Sequence, residues 1–288
     1  MTNDKIQMTK KRTVQDKLIS GLNSIRYGLT EPVILRALRL KYAQGYDGIC
    51  EEEPLVSVYV PTYNRASLLM ERAVSSVLKQ TYKNFELVIV GDHCTDDTEK
   101  LVSKVRDKRV SFFNLPKRGY RYPESAENHW LAGPVVAANK ALELVRGKWI
   151  ARIDDDDTWT EDHLEVLLRF AQEKKKEFVS ASYITESQKK RVVINVENEF
   201  PRIGGTQTWM YRAYLKHFRY NINCWRKSWN RVNDTDLQDR FFRAGVSMDF
   251  LDKVVAYVLP RPGEDKVGLA AYHASEKEKR EHFKFTSE

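Results

Sequence analysis

Four consecutive aspartates, Asp154, Asp155, Asp156 and Asp157, stand between the apolar run WIARI (149–153) and Trp159. Two carboxylates about 5 Å apart repel by about 3 kcal/mol at an effective dielectric of 20. The apolar flanks place this repulsion at the edge of a core. Hard divalent cations take carboxylate oxygens, and Mg2+ or Mn2+ completes its octahedron with phosphate and water. A bound ion would turn mutually repelling carboxylates into ligands. The alternative is a solvated loop in which Asp157 or Thr158 caps the following helix, EDHLEVLLRFAQ. Other stretches carry chemistry too. PTYNR (61–65) offers an aromatic ring and a cation, Tyr63 and Arg65, and GDHCTDDT (91–98) offers Asp92. Asp234 and Asp236, in NDTD (233–236), open a helical pattern. By default a carboxylate there caps the helix.

The elements that must position these groups are legible around them. LVSVYV (55–60), ELVIV (86–90), RVSFFNL (109–115) and KWIARI (148–153) are β-branched or apolar runs of strand length. Between them lie helical patterns at ASLLMERAVSSVLKQ (66–80) and NHWLAGPVVAANKALELV (128–145), with a helix capped by Thr95, Asp96 and Asp97 after the second strand. Alternating strands and helices predict βαβ units and a mostly parallel sheet. In such sheets ligands bind beyond the carboxyl ends of the strands. PTYNR, GDHCTDD and DDDD all follow strands, so they are expected to meet in one crevice.

The chain has 288 residues, 42% of them apolar, a formal charge of +8 and a pI near 9.2. This charge favours an anionic partner. Three separated cysteines without a C-x-x-C pair argue against a disulfide framework or a zinc site and fit a reducing, cytoplasmic setting. No apolar stretch approaches the roughly 20 residues of a membrane span. Residues 1–53 form a distinct helical preface. Val14, Leu18, Leu22 and Ile25 recur at helical spacing, and Thr30-Glu31-Pro32 reads as the start of a second helix carrying Val33, Ile34, Leu38 and Tyr42. The first fifty residues hold nine Lys/Arg against four acids. Such an arm either packs on the core or on a second copy of the chain, as a homodimer, or lies peripherally on the inner face of an anionic membrane.

PLVSVYVPTYNR, SSVLKQTYKNFELVIVGDHCTDDT and NKALELVRGKWIARIDDDDTW together resemble the family 2 glycosyltransferases of the GT-A fold, over roughly residues 54–165 and more loosely to about 260. The resemblance implies an α/β, Rossmann-like sheet with a nucleotide-sugar-binding half (54–165), an acceptor-binding half (166–274) and a charged tail (275–288). It implies a metal-dependent, inverting, non-processive transfer of a sugar from a nucleotide diphosphate sugar, a UDP-sugar foremost, to a hydroxyl of a glycan or lipid-linked acceptor in surface glycan, lipopolysaccharide or glycolipid synthesis. Carried over, Pro61, Thr62 and Tyr63 contact the nucleotide, Arg65 reaches ribose or phosphate, and Asp92 accepts a hydrogen bond from the base. Asp156 ligates Mn2+ or Mg2+, Asp154 holds ribose or sugar or joins the metal, and Asp155 or Asp157 assists.

On the acceptor side the resemblance implies Asp234 as base, with Asp236 as the alternative in the same turn. Trp209 and Tyr211 in GGTQTWMYR (204–212) would stack on a sugar, or else belong to the core. RPGEDKVGL (261–269) is similar to a loop that closes over the diphosphate, and His273 offers a third metal ligand. The family's arginine before the fourth strand is absent from AGPVVAANK, so Trp130, Lys140 or a residue of PKRGYRYP (116–123) must replace it. Nucleic-acid binding would explain the charge but none of the strand-end residues. A GT-A-like binding module without turnover, attached to anionic surfaces, is the competing reading; its sequence would be expected to have lost Asp156 or Asp234.

Overall fold

The computed structural model describes residues 14–43, 52–197, 201–227 and 232–274. The tail at 275–288 and residues 1–13 and 44–51 of the preface lie outside that set. A long helix, α1 (Val14–Ala43), precedes β1 (Val56–Thr62). The segment 66–78 is helical throughout, as α2 (Ala66–Leu69), a π-helical turn (Met70–Val74) and α3 (Ser75–Leu78). Next come β2 (Phe85–Gly91), α4 (Thr98–Val102), β3 (Val110–Asn114), α5 (Ala126–Ala132), α6 (Val135–Leu144), β4 (Trp149–Arg152), β5 (Asp157–Trp159) and α7 (His163–Glu173). The remainder comprises β6 (Phe178–Ser187), β7 (Lys190–Ile194), β8 (Met210–Arg212), α8 (Cys224–Lys227), α9 (Asn233–Arg243), β9 (Met248–Val258) and α10 (Leu269–Ala274).

The strands form one sheet in the order β3-β2-β1-β4-β8-β6-β9-β5, with β7 paired to β6. β1 runs parallel to β2 and β4, and β2 parallel to β3. β8, β7 and β5 join antiparallel, while β9 runs parallel to β6. Every residue of β1 and β2 is buried, as expected of parallel strands covered on both faces. Side chains alternate between two cores. Tyr59, Val88, Val90 and Ile150 face α6 and the Trp209–Phe241 cluster, whereas Val58, Val60, Leu87 and Ile89 face α2, α3 and α7. This sandwiching fixes the carboxyl ends of β1, β2 and β4 side by side.

The preface departs from expectation. Thr30-Glu-Pro32 does not start a helix; α1 runs through it, with Thr30 Oγ1 donating back to Arg26 O at 2.8 Å. A proline inside a helix costs about 3 kcal/mol, so tertiary contacts must offset it. They do so over the second half of α1. Leu35 is buried, Leu38 and Tyr42 pack on the core, and Tyr42 stacks on His217. Arg39 pairs with Glu177 at 2.7 Å and Glu31 with Lys227 at 2.6 Å. Val33 and Ile34 instead point outward.

His163, at the start of α7, is fully buried and stacked on Trp159. Its Nδ1 lies 3.0 Å from Val255 O, so Nδ1 carries the proton. Burial pulls its pKa down to about 3. The unfolded chain therefore binds this proton first, and stability present above pH 6.5 is lost as pH falls toward 3. The expected loss is up to about 1.4 kcal/mol per unit from this group. Urea unfolding at pH 7 and pH 5 checks it: His163→Phe should shrink the difference between the two midpoints, and an undiminished difference would remove this histidine as the cause.

Candidate active site

A cavity of about 430 Å³ opens at the carboxyl ends of β1, β2 and β4. Pro61 and Thr62 end β1 there. The chain then turns at Asn64, whose φ of 49° suits asparagine. Asn64 Oδ1 accepts from Thr95 N at 2.8 Å, tying the β1 loop to the β2 loop. Asp96, rather than Thr95 or Asp97, does the capping, accepting from Ala66 N at 3.0 Å and from Thr98 N at 3.1 Å. These ties hold Tyr63 and Arg65 at the rim.

The four aspartates part company. Asp154 Oδ1 accepts from Arg152 Nη2 at 2.8 Å. Asp155 is buried, accepting from Thr62 Oγ1 at 2.7 Å and Arg65 Nη1 at 2.8 Å. Asp156 Oδ2 meets Arg261 Nε at 2.7 Å and Arg65 Nη1 at 3.5 Å. Asp157 opens β5 opposite Val258. Below them Arg72 donates to the carbonyls of Asp156, Leu259 and Pro260 at 2.6–3.0 Å, which fixes the quartet against the end of β9. The capping-loop alternative fails, because Asp157 and Thr158 are strand residues and α7 begins only at His163.

A cation was the expected reason that this charge is tolerated. In the structure, three arginines do much of that neutralisation: Arg65, Arg152 and Arg261. Proton affinities follow. Burial raises the pKa of Asp155, with Arg65 opposing and Asp156 adding to it. Burial and the three neighbouring acids push Asp157 well up. Asp156 goes the other way: burial opposes ionisation, but Arg65 and Arg261 outweigh it and hold the carboxyl below its usual value.

Among the described residues no group of three or more His, Cys, Asp or Glu could enclose a metal ion. The donor set nevertheless fits an ion held mainly by substrate. Asp156 is ionised, and both arginine contacts fall on its Oδ2. One carboxylate oxygen together with phosphates and water is an ordinary Mg2+ arrangement. The side chain of His273 lies outside the described residues.

Within PKRGYRYP, Arg118 and Arg121 converge on Asp92, and Arg118 lines the crevice. Arg121 makes a two-pronged contact with Asp92, one prong at 2.6 Å, and Arg118 Nε reaches the same carboxylate at 3.2 Å. The Arg118 guanidinium also lies 3.8 Å from the centre of the Tyr63 ring. Trp130 lines the crevice. Lys140 is elsewhere, over Phe113 and paired with Glu143.

Asp234 sits in the first turn of α9 and lines the same crevice with Arg152 and Asp154. It does not act as the helix cap; its Oδ1 accepts from its neighbour Thr235 N at 2.7 Å. Burial raises its pKa, Arg152 pulls it down and Asp154 adds to the rise. Asp236, its alternative, is turned away. It is wholly buried, held by Lys227 Nζ at 2.6 Å and Arg240 Nε at 2.9 Å.

Trp209 and Tyr211 also belong to the core. Trp209 Nε1 donates to Gly204 O at 2.7 Å, and Tyr211 packs between Phe178 and Phe241. The physical reason is that β8 is an interior strand, paired to β4 on one edge and β6 on the other, with a core on each face: Trp209 and Tyr211 enter one and Met210 the other. Gly205, Thr206 and Gln207, just before it, line the crevice instead. The 261–269 loop does reach the site, through Arg261, Glu264, Lys266, Val267 and Gly268. Tyr272 of α10 accepts from both Arg65 and Arg261 at 3.3 Å. Arg72 and Tyr272 had no signal of their own in the sequence, whereas Arg118 and Arg121 lie in the PKRGYRYP segment it pointed to.

Residues 57–232 match the family model described as Glycosyl transferase family 2. The chain belongs to glycosyl transferase family 2. Within this family it is 30% identical over 199 residues to the Escherichia coli UDP-Glc:alpha-D-GlcNAc-diphosphoundecaprenol beta-1,3-glucosyltransferase WfaP, covering 69% of this chain and 66% of that one. The chain spans between 22% and 40% of the length of several other curated relatives. S. aureus TarS 1–349, solved with UDP-GlcNAc, superposes with a TM-score of 0.56 at 23% identity, over 73% of this chain and 60% of that one. The mannosyltransferase PcManGT from Pyrobaculum calidifontis, solved with GDP-Man and Mn2+, gives 0.54 at 16% identity, over 86% and 70%. These likenesses show the GT-A fold of family 2.

Proposed function

We propose that the protein transfers a sugar, with inversion, from a nucleotide diphosphate sugar to a hydroxyl of a glycan or lipid-linked acceptor in surface glycan, lipopolysaccharide or glycolipid synthesis. The observation that carries this is the pairing of two carboxylates of opposite proton affinity in one crevice. One crevice joins Asp156, kept ionised by Arg65 and Arg261, to Asp234, whose proton affinity burial raises; this supports a diphosphate at the first and an acceptor hydroxyl at the second. Tyr63 stacks on the base, and Asp92 accepts a ring N–H in exchange for its Arg118 contact. Arg65 and Arg261 face the diphosphate. The acceptor oxygen attacks the anomeric carbon from the Asp234 side as Asp234 takes its proton. The carbon–oxygen bond to the diphosphate breaks on the opposite face, and the leaving group keeps the electron pair. Asp156 is the residue that would hold Mn2+ or Mg2+, which when bound takes up negative charge on the leaving diphosphate. Relatives and structural neighbours whose names carry UDP-Glc, UDP-GlcNAc and GDP-Man support a nucleotide-sugar donor, and a UDP-sugar is the first choice. A binding module without turnover would have no use for a carboxylate poised as a base.

Thermal-shift measurements with UDP-, GDP-, CDP- and dTDP-sugars, with and without Mn2+, test the reading. One donor should raise Tm, and more so with Mn2+. Asp156→Ala should lose the Mn2+-dependent part and keep its fold. If no nucleotide sugar moves Tm the reading fails, and if Asp156→Ala retains the full metal effect the ligand is another residue.

A further inference from the structure

α1 has two faces of different kinds. Glu31, Leu35, Leu38 and Tyr42 turn toward the body. Val14, Leu18, Leu22, Ile25, Leu29 and Val33 recur every three or four residues and are 60–84% exposed. At about 100° per residue these six fall within an arc of about 100°, centred about 150° from the body-facing residues. Among the described residues nothing covers this stripe, which extends for about 28 Å along the helix. An apolar patch of this size marks a docking surface.

The charge around the stripe selects its occupant. Arg36 stands within the stripe and Arg26 at its edge, with Lys17 and Lys41 also exposed on α1. The acids of α1 are Asp16 and Glu31, and Glu31 is occupied by Lys227. The sequence just before α1 adds Lys10, Lys11 and Arg12. A second copy of the same stripe would bring like charges together. We propose that α1 lies in the plane of an anionic lipid surface, its stripe among the acyl chains and its cations at the headgroups. It does not cross the bilayer: no described helix is long and apolar enough.

The helix is firmly joined to the catalytic body. Lys227 bridges Glu31 of α1 and Asp236 of α9, at 2.6 Å to each. A lipid-bound α1 therefore carries α9, and with it Asp234, to the bilayer. Delivery of the crevice to lipid-linked acceptors follows from this and rests on the transfer reading; the lipid binding does not.

Sedimentation of the full chain with vesicles tests it, in the absence of any nucleotide sugar. The chain should pellet with mixed phosphatidylcholine–phosphatidylglycerol vesicles and about tenfold less with phosphatidylcholine alone. The double variant Leu22→Glu/Ile25→Glu should lose pelleting by about tenfold or more while its Tm and circular dichroism stay at the wild-type values. Equal pelleting of wild type and variant would overturn the proposal, as would absence of pelleting on anionic vesicles. So would a dimer in sedimentation velocity that the variant converts to monomer, which would assign the stripe to a second copy.

Discussion

Asp234→Asn is expected to lower sugar transfer by about 10²–10⁴-fold while nucleotide-sugar binding is unchanged, the range typical of losing a positioned general base. Asn keeps the shape and the acceptance from Thr235 N but cannot take a proton. The burial that raises the pKa of Asp234 also sets the pH dependence. The base acts when ionised, so kcat/KM should fall as pH drops through that raised value. In Asp234→Asn that limb should vanish. Initial rates across pH, with donor binding measured separately, check both parts. Transfer at the wild-type rate in the variant would remove Asp234 from the chemistry.

Asp236→Ala, two residues away, is expected to act on stability. Its carboxylate is fully buried between Lys227 and Arg240, and Arg240 also donates to the carbonyls of Phe218 and Arg219. Removing one partner from a buried ion pair costs about 3–5 kcal/mol, because the remaining charge stays desolvated. Lys227 keeps Glu31, which places the expected loss toward the lower end. Urea unfolding at neutral pH measures it. A variant as stable as wild type with transfer abolished would reverse the roles of the two aspartates. The same substitution removes the α9 end of the Lys227 bridge, so α1 should be held less firmly to α9, seen as faster amide exchange over 31–42.

Much of this architecture was legible in the chain itself. β1, β2 and β4 read as continuous apolar runs because parallel strands are covered on both faces, and ligand-bearing loops follow their carboxyl ends for the same topological reason. Thr62, Tyr63, Arg65, Asp92, Asp154–Asp156 and Asp234 all line one crevice as the motifs implied. The two carboxylates of NDTD could not be told apart, since both satisfy the same local pattern. Only the positions of Lys227 and Arg240 decide that Asp236 is structural.

Long-range pairing accounts for the other departures. Arg261 reaches Asp156 across 105 residues, and Arg118 and Arg121 reach Asp92 from a segment without regular structure. No periodicity encodes such contacts. Trp209 and Tyr211 sit at the start of and within β8, and a three-residue strand carries too little pattern to announce its burial. In α1 the local signals of Thr30 and Pro32 were overruled by packing of its second half. Local chemistry thus named the strands and the reactive residue types; the sheet and its crossings, by bringing distant charges into contact, decided which acids are neutralised by arginines, which acid of NDTD lines the crevice, and which face of α1 remains uncovered.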